Sequence, residues 1–189
     1  VLTILSQNTN DRNRDRAFAA LKAHFNSWKE VAEASPQELS DVIRSGGLSN
    51  IKARRILEVL NRVRSHFGDF SLKTLQGWET EDIRKFLEGT PGVGAKTVAC
   101  VLLFDLGRPA FPVDTHIARV TRRLGWADTN MPPEEIQILM EELVPPERYN
   151  EAHLNLITHG RRLCTSRKAF CHECPLRDRC PFPERILEV

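Results

Sequence analysis

A lysine and an aspartate have the surroundings that covalent chemistry requires. Lys96 follows the glycine-rich segment 89–95 and falls in the first turn of the apolar helix that comes next. The positive end of a helix dipole disfavours a charged amine, and only the neutral amine is a nucleophile. Asp114 lies far enough along the chain for that helix to have returned it to the same end. The pair predicts an attacking amine and a carboxylate that accepts or relays its proton.

Both side chains also have a purely structural interpretation. Lys96 could be a solvated lysine beside a turn. Asp114 could cap the helix that follows it, since aspartate accepts hydrogen bonds from the first amides of a helix, and it could serve in both ways. His116, two residues further on, is expected to be a structural, hydrogen-bonding histidine.

The segment before Lys96, Gly89-Thr90-Pro91-Gly92-Val93-Gly94-Ala95, carries glycines two positions apart. Glycine allows a positive φ and lets a backbone approach a ligand closely. The amides that open the next helix have no intrahelical acceptor and favour an anion such as phosphate. Gly92 and Gly94 are therefore candidate phosphate contacts, although such turns between helices are often only turns.

Four cysteines lie close together near the end of the chain, at Cys164, Cys171, Cys174 and Cys180. The spacing C-x6-C-x2-C-x5-C allows four thiolates to converge on one metal centre, either zinc or an iron-sulfur cluster. Because only one gap is as short as those of a zinc knuckle, the spacing favours the bulkier cluster. Disulfides are a third possibility, which a reducing intracellular environment disfavours. Cys100 is expected to be a buried, small hydrophobic residue.

The elements that must position these residues are helices. Helical signals recur and alternating β-branched runs are nearly absent, so the predicted fold is all-α. Ser35-Pro36-Gln37-Glu38 has the form of a capping box and starts a helix to about Arg44. Further helices are predicted from Thr80 and over 97–106, 114–124, 132–143 and 149–163. The segment 97–106 is apolar on every side, which predicts central burial.

One longer helix is predicted after the pair Gly46 and Gly47. Ser49 or Asn50 is expected to cap it. Its expected apolar positions are Ile51, Ile56, Leu57, Leu60 and Val63.

Charge is distributed unevenly along the 189 residues, whose formal net charge is only +2. So small an excess identifies no partner, because nucleic-acid binding needs a local basic face. The segment 161–185 is such a candidate, since its basic residues outnumber its acidic ones; they are Arg161, Arg162, Arg167, Lys168, Arg177, Arg179 and Arg185. The acidic stretch 128–151 is expected to face away from a polyanion.

The sequence holds no apolar run of about eighteen residues and no signal peptide. We therefore expect a cytoplasmic protein without membrane association. Val1 stands within an apolar segment where a methionine would open a complete chain, and we expect upstream residues to be missing.

Together these residues resemble the endonuclease III group of DNA glycosylases, a helix-hairpin-helix superfamily with an iron-sulfur cluster. The resemblance covers nearly the whole chain. It rests on the four cysteines and on the segments Leu5-Ser6-Gln7-Asn8-Thr9, Gly47-Leu48-Ser49-Asn50-Ile51-Lys52-Ala53, Pro91-Gly92-Val93-Gly94-Ala95-Lys96-Thr97, Val113-Asp114-Thr115-His116-Ile117 and His159-Gly160.

The resemblance implies a helix-hairpin-helix glycosylase fold of two lobes with the active site in the cleft between them. A six-helix barrel lobe with the hairpin is expected over 1–108. A lobe holding a 4Fe-4S cluster on the four cysteines is expected over 109–189, with its N-terminal helix missing from this sequence.

The resemblance also implies an enzyme of base excision repair. In the family, the lysine at the position of Lys96 attacks C1′ of the damaged nucleotide and expels the base, and the aspartate at Asp114 assists. β-Elimination then cuts the strand on the 3′ side. We expect a bifunctional DNA glycosylase and abasic-site lyase that acts as a monomer on duplex DNA, removes oxidised pyrimidines, and is nucleoid-associated in a bacterium.

A base inside a duplex must be flipped out before it can react. By resemblance, Leu48 is the expected wedge that fills the hole, and Gln7 or Asn8 contacts the orphaned base. Gly92 and Gly94 are the expected contacts of the hairpin to DNA.

Lys96 separates this chain from two related groups. Adenine glycosylases place a serine at this position, and thymine-mismatch glycosylases usually place a tyrosine there. A mismatch-specific thymine or uracil glycosylase remains an alternative, as does a non-catalytic DNA-binding module with a structural metal site.

Overall fold

The computed structural model describes residues 1–183 of the 189. Within that range there is no β-strand, only an isolated bridge between Cys164 and Ala169, so the all-α prediction is confirmed. No helix in the same range is both long and apolar enough to cross a bilayer. Arg185 of the cationic segment and the last residues of the expected cluster lobe, 184–189, lie outside the described part.

The described chain forms ten α-helices joined by short turns. They are α1 (Leu2–Leu5), α2 (Asp11–His24), α3 (Trp28–Glu33), α4 (Pro36–Val42), α5 (Ser49–Phe67), α6 (Thr80–Glu88), α7 (Ala95–Cys100), α8 (Thr115–Arg123), α9 (Pro133–Leu143) and α10 (Tyr149–Arg162). A π-helical turn at Val101–Asp105 continues α7. Single 3-10 turns lie at Arg44–Gly46, Lys73–Gly77, Pro146–Arg148, Cys171–Glu173 and Arg177–Arg179.

The chain divides into two compact units, Val1–Val98 and the residues from Ala99 onward. Each unit has its own apolar core. Helices α1 to α5 supply the first core, which includes Leu5, Leu21, Leu39, Ile43 and Ile56. The second core includes Phe111, Ile117, Ile136, Met140 and Tyr149. The predicted lobe boundary at residue 108 stays a prediction. The compact units are defined by contacts within this chain, whereas the predicted lobes are those of the family.

At α4 the local capping signal places the helix start where the sequence predicted it. Ser35 Oγ accepts from the amide of Glu38 at 3.1 Å, which opens α4. The Glu38 carboxylate lies 3.2 Å from His24 Nε2. This contact holds α4 against the end of α2.

Two expectations about α5 are wrong. The helix begins at Ser49, but its N-cap is Leu48 in a left-handed conformation with no side-chain cap. The expected caps Ser49 and Asn50 instead contact Ser40 of α4, whose Oγ lies 2.9 Å from Ser49 Oγ and 2.7 Å from Asn50 Oδ1. Ile51, expected on the apolar face, is exposed.

The apolar segment 97–106 is buried only in part. Val98, Ala99 and Leu102 are fully buried, and Cys100 is buried as expected. Phe104, in the π-helical turn, is exposed, because the change from α-helix to π-helix alters which side chains face the core.

Candidate functional site

The glycine-rich turn between α6 and α7 places Lys96 as predicted. Lys96 is the second residue of α7 and is half-buried. Gly92 has a φ of +76°, and a Cβ at this position would overlap the side chain of Arg55. Gly94 is open, since nothing lies within 4 Å of a Cβ built there. The turn thus needs glycine at 92 for its backbone and leaves the surface at 94 clear.

Gln7 is bonded to this turn. Its Nε2 donates to the carbonyl of Gly92 at 3.2 Å and to Thr97 Oγ1 at 3.3 Å. Its Oε1 accepts from Arg55 Nη1 at 2.8 Å. Both ends of the amide are therefore engaged inside the protein, and Gln7 connects the N-terminal segment, the turn and α5.

Asn8 and Leu48 share an unusual backbone. They are the two non-glycine residues of the described chain with a positive φ, 49° and 50°. Both side chains are exposed, Leu48 by 51%. Asparagine tolerates the left-handed region, but a branched apolar residue there is strained. An exposed leucine held in a strained conformation is typical of a functional position.

Lys52, in the first turns of α5, is almost completely buried, with 1% of its surface exposed. Its Nζ donates to the carbonyls of Leu5 and Gly46, both at 2.8 Å. Burial lowers the pKa of this amine. Lys52 shares a helical face with Ile56, Leu60 and Val63, and that register predicts its burial.

Asp114 in the second unit is the N-cap of α8. Its Oδ1 accepts from the amides of His116 and Ile117, both at 2.9 Å. The structural interpretation of Asp114 is therefore correct. Because one carboxylate oxygen makes both bonds, the cap does not use Oδ2.

His116 forms part of a network with Arg119. Arg119 Nη2 lies 3.1 Å from His116 Nδ1, and because a guanidinium can only donate, this nitrogen must accept. The pKa of His116 is lowered, first by burial and then by Arg119 and Arg161, against the opposing effects of Asp114 and the Gly160 backbone. These contacts favour a neutral, hydrogen-bonded ring, as expected for a structural histidine.

Arg119 also connects α8 to the end of α10. It donates to the carbonyls of Gly160 at 2.8 Å and Cys164 at 3.0 Å. A Cβ at Gly160 would lie 3.1 Å from His116 Cβ and 3.2 Å from Val120 Cγ2. The two helices therefore approach closely at this point, and a larger residue would require His116, Val120 or Arg119 to shift.

The four cysteines of the second unit line one small pocket. Apolar side chains complete most of the lining, among them Val120, Leu124, Leu163, Phe170 and Phe182. Arg123 Nη1 lies 3.3 Å from Cys164 Sγ, and the Arg123 carbonyl lies 3.4 Å from Cys180 Sγ. Within the described chain, no group of three or more His, Cys, Asp or Glu side chains is arranged to bind a single metal ion.

The pKa of the Cys180 thiol is raised, first by burial and further by the other three cysteines. Four sulfurs this close oppose one another's ionisation, so a cationic group among them would stabilise the thiolates. The cysteines and their pocket therefore fit an iron-sulfur cluster in the chemistry of their donors.

The structure brings two sets of predicted site residues together. In the first unit Gln7 contacts Gly92, and in the second unit the four cysteines line one pocket. Lys96 belongs to the first unit and Asp114 to the second, so their cooperation stays a prediction. The sequence did not predict the contacts made by three basic side chains, those of Lys52, Arg55 and Arg119.

Comparison with known proteins agrees with the resemblance. Residues 1–146 match the family described as HhH-GPD superfamily base excision DNA repair protein. A putative DNA glycosylase of Arabidopsis thaliana is 38% identical over 168 residues, which are 89% of this chain and 57% of that protein. Endonuclease III of Thermotoga maritima is 33% identical over 185 residues, which are 98% of this chain and 82% of that protein.

A solved structure shows the same fold. It is a trapped covalent intermediate of endonuclease III with DNA, which matches 98% of this chain and 83% of its own with a TM-score of 0.85 and 26% identity. The chain spans little more than half of the plant relative but most of the bacterial one. The resemblance to endonuclease III is therefore confirmed, and the chain belongs to the HhH-GPD superfamily of base excision DNA repair proteins.

Proposed function

We propose that this chain is a bifunctional DNA glycosylase and abasic-site lyase that removes damaged pyrimidines, oxidised ones in particular, from duplex DNA. The Lys96 amine forms a bond to C1′ of the flipped nucleotide as the bond from C1′ to the base breaks. The C1′–O4′ bond of the sugar ring then breaks, O4′ takes up a proton and the attached amine has lost one, which gives a Schiff base that makes a C2′ proton acidic. Loss of that proton and of the 3′ phosphate cuts the strand.

The position of Lys96 carries this proposal. A lysine at the start of α7, directly after a turn that needs glycine at 92, is presented beside a backbone suited to a phosphate. Asp114 is the proposed assisting carboxylate, since its cap leaves Oδ2 for a second partner.

Leu48 is the proposed wedge, and Asn8 rather than Gln7 is the proposed contact to the orphaned base. Gln7 has both amide ends bonded within the protein. Asn8 is exposed and shares its left-handed backbone with Leu48. These two observations support Asn8 as the proposed contact.

Cys164, Cys171, Cys174 and Cys180 are the proposed ligands of a 4Fe-4S cluster. A cluster lets each thiolate bind a different iron, whereas zinc would need all four sulfurs around one ion. The convergence of all four cysteines on one pocket supports a shared centre, and the wide spacing between three of them in the sequence favours the cluster. When bound, it supplies the cationic centre that holds the cysteine loop together. Iron analysis and broad visible absorption test this part.

Borohydride trapping tests the enzyme. Wild-type protein incubated with a duplex containing an abasic site and then reduced should form a covalent protein–DNA adduct. Lys96→Gln should form none and should cut no strand, while its binding to the same duplex persists. Lys85→Gln, the same change at an exposed position of α6, should form the adduct normally.

Adduct formation by Lys96→Gln would contradict the assignment of the nucleophile. A panel of duplexes with oxidised pyrimidines, uracil or mismatched thymine then assigns the base. Preference for mismatched thymine would overturn the proposed substrate while leaving the lyase intact.

A further inference from the structure

The most deeply buried charged side chain of the first unit has no carboxylate bound to it. Lys52 lies under the start of α5 with 1% of its surface exposed. The hydrogen bonds recorded for its Nζ go to two backbone carbonyls, those of Leu5 and Gly46. Burying a charged amine costs free energy of folding unless its hydrogen-bond acceptors are well placed. An apolar residue could fill the same space without that cost but could not bind the two carbonyls.

Both carbonyls stand at the ends of helical turns. Leu5 is the last residue of α1, and Gly46 is the last residue of the 3-10 turn Arg44–Gly46. The carbonyl end of a helix carries partial negative charge. Lys52 therefore acts as a shared C-terminal cap for two short elements that have little stability of their own.

Each capped element leads directly into one of the two non-glycine residues with a left-handed backbone. Leu5 precedes Asn8 by three positions, and Gly46 precedes Leu48 by two. The amide of Lys52 also donates to the carbonyl of Leu48 at 3.0 Å. One residue thus contacts the backbone on which both proposed base-flipping side chains stand.

We propose that Lys52 is a positioning residue for base flipping, which holds the Asn8 and Leu48 segments at a fixed separation through the Leu5 and Gly46 carbonyls. This inference rests on the proposed function. Holding both segments in advance means that neither has to be ordered when the duplex is opened, so the contact lowers the cost of flipping.

The test compares two substrates. An abasic site in single-stranded DNA needs no flipping, whereas the same site in a duplex does. Lys52→Met, which cannot donate, should lower the single-turnover rate of strand cleavage about tenfold on the duplex and leave the single-strand rate within about twofold. Lys52→Arg, which retains donors, should recover most of the duplex rate.

Ile56→Ala is the matched control. It removes buried methyl groups from the same helix without touching either carbonyl, so it should lower the melting temperature and leave the ratio of duplex to single-strand rates unchanged. A double-mutant cycle adds a second measurement, since the Lys52→Met effect should largely disappear in a Leu48→Ala background.

The outcomes separate the two proposals. If wild-type protein cuts neither substrate, the proposed function fails. If wild-type protein cuts both, but Lys52→Met lowers both rates equally or neither, or adds fully to Leu48→Ala, the positioning role is overturned. Should Lys52→Met not fold, Lys52→Gln, which keeps one amide donor group, is judged by the same ratio and the same cycle.

Discussion

At the scale of single residues, the candidate site combines a strained backbone conformation with neighbouring side chains whose hydrogen-bonding groups are satisfied within the protein. Leu48 and Asn8 hold left-handed backbones, and Gln7 is bonded at both ends of its amide. Strain of this kind persists only where the surroundings enforce it. The conformation of Leu48 therefore argues for a role that an unstrained leucine could not fill.

Replacing Leu48 by asparagine separates the effect of the strained backbone from the effect of the apolar side chain. Asparagine tolerates a positive φ, so Leu48→Asn should keep or raise the free energy of unfolding, by up to about 1 kcal/mol. Loss of the apolar wedge should lower duplex cleavage more than about tenfold. Chemical denaturation and single-turnover cleavage measure the two effects, and a variant that is destabilised yet fully active would contradict this view of Leu48.

At the scale of elements, two helices organise the described chain. In the first unit, α5 contributes Lys52 and Arg55 to contacts with the N-terminal segment and the glycine-rich turn. In the second, α8 begins at Asp114 and is bonded through Arg119 to the end of α10. Each helix thus positions site residues that are distant in sequence.

Gly160→Ala tests the crossing of α8 and α10. An added methyl group would meet His116, Val120 and Arg119 at 3.1 to 3.3 Å, so the substitution should lower the free energy of unfolding by about 1–3 kcal/mol. Gly77→Ala is the control, because nothing lies within 4 Å of a Cβ there. Urea denaturation of both variants checks this, and an equally stable Gly160→Ala would show that the crossing has room.

Local signals explain which elements the sequence could predict. Ser35 and Asp114 cap their helices as expected because a cap depends on neighbours within three residues. The bonds of Lys52 to Leu5 and of Gln7 to Gly92 depend on partners far along the chain, for which no periodic pattern exists. Residue type, spacing and helix position were enough to predict a nucleophilic role for Lys96 and a metal centre on the cysteines, whereas the sugar carbon that Lys96 attacks followed only from the family resemblance.

At the scale of the whole molecule, positive charge is concentrated in one segment although the net charge is small. The net charge is +2, yet the described basic residues of the segment 161–185 are all exposed. Exposed arginines and lysines bind phosphates by releasing counterions. Affinity for DNA can therefore be strong in a protein whose total charge is nearly balanced.

DNA affinity should fall as salt rises, with a logarithmic slope of about −0.9 for each phosphate contacted. Arg167→Gln, in the exposed cationic segment, should reduce that slope by about one contact. Arg16→Gln removes the same charge from exposed α2 and should leave the slope unchanged. Binding titrations over a range of potassium chloride measure both, and a flat profile for the wild type would exclude phosphate binding.

The cap at Asp114 has one more consequence. Two amides of α8 fix the torsion angles of this side chain, so the direction of its second oxygen is set by the helix. A carboxylate oriented in this way loses no rotational entropy and needs no rearrangement when a substrate arrives. Folding of α8 therefore sets the position of the second Asp114 oxygen before any DNA is present.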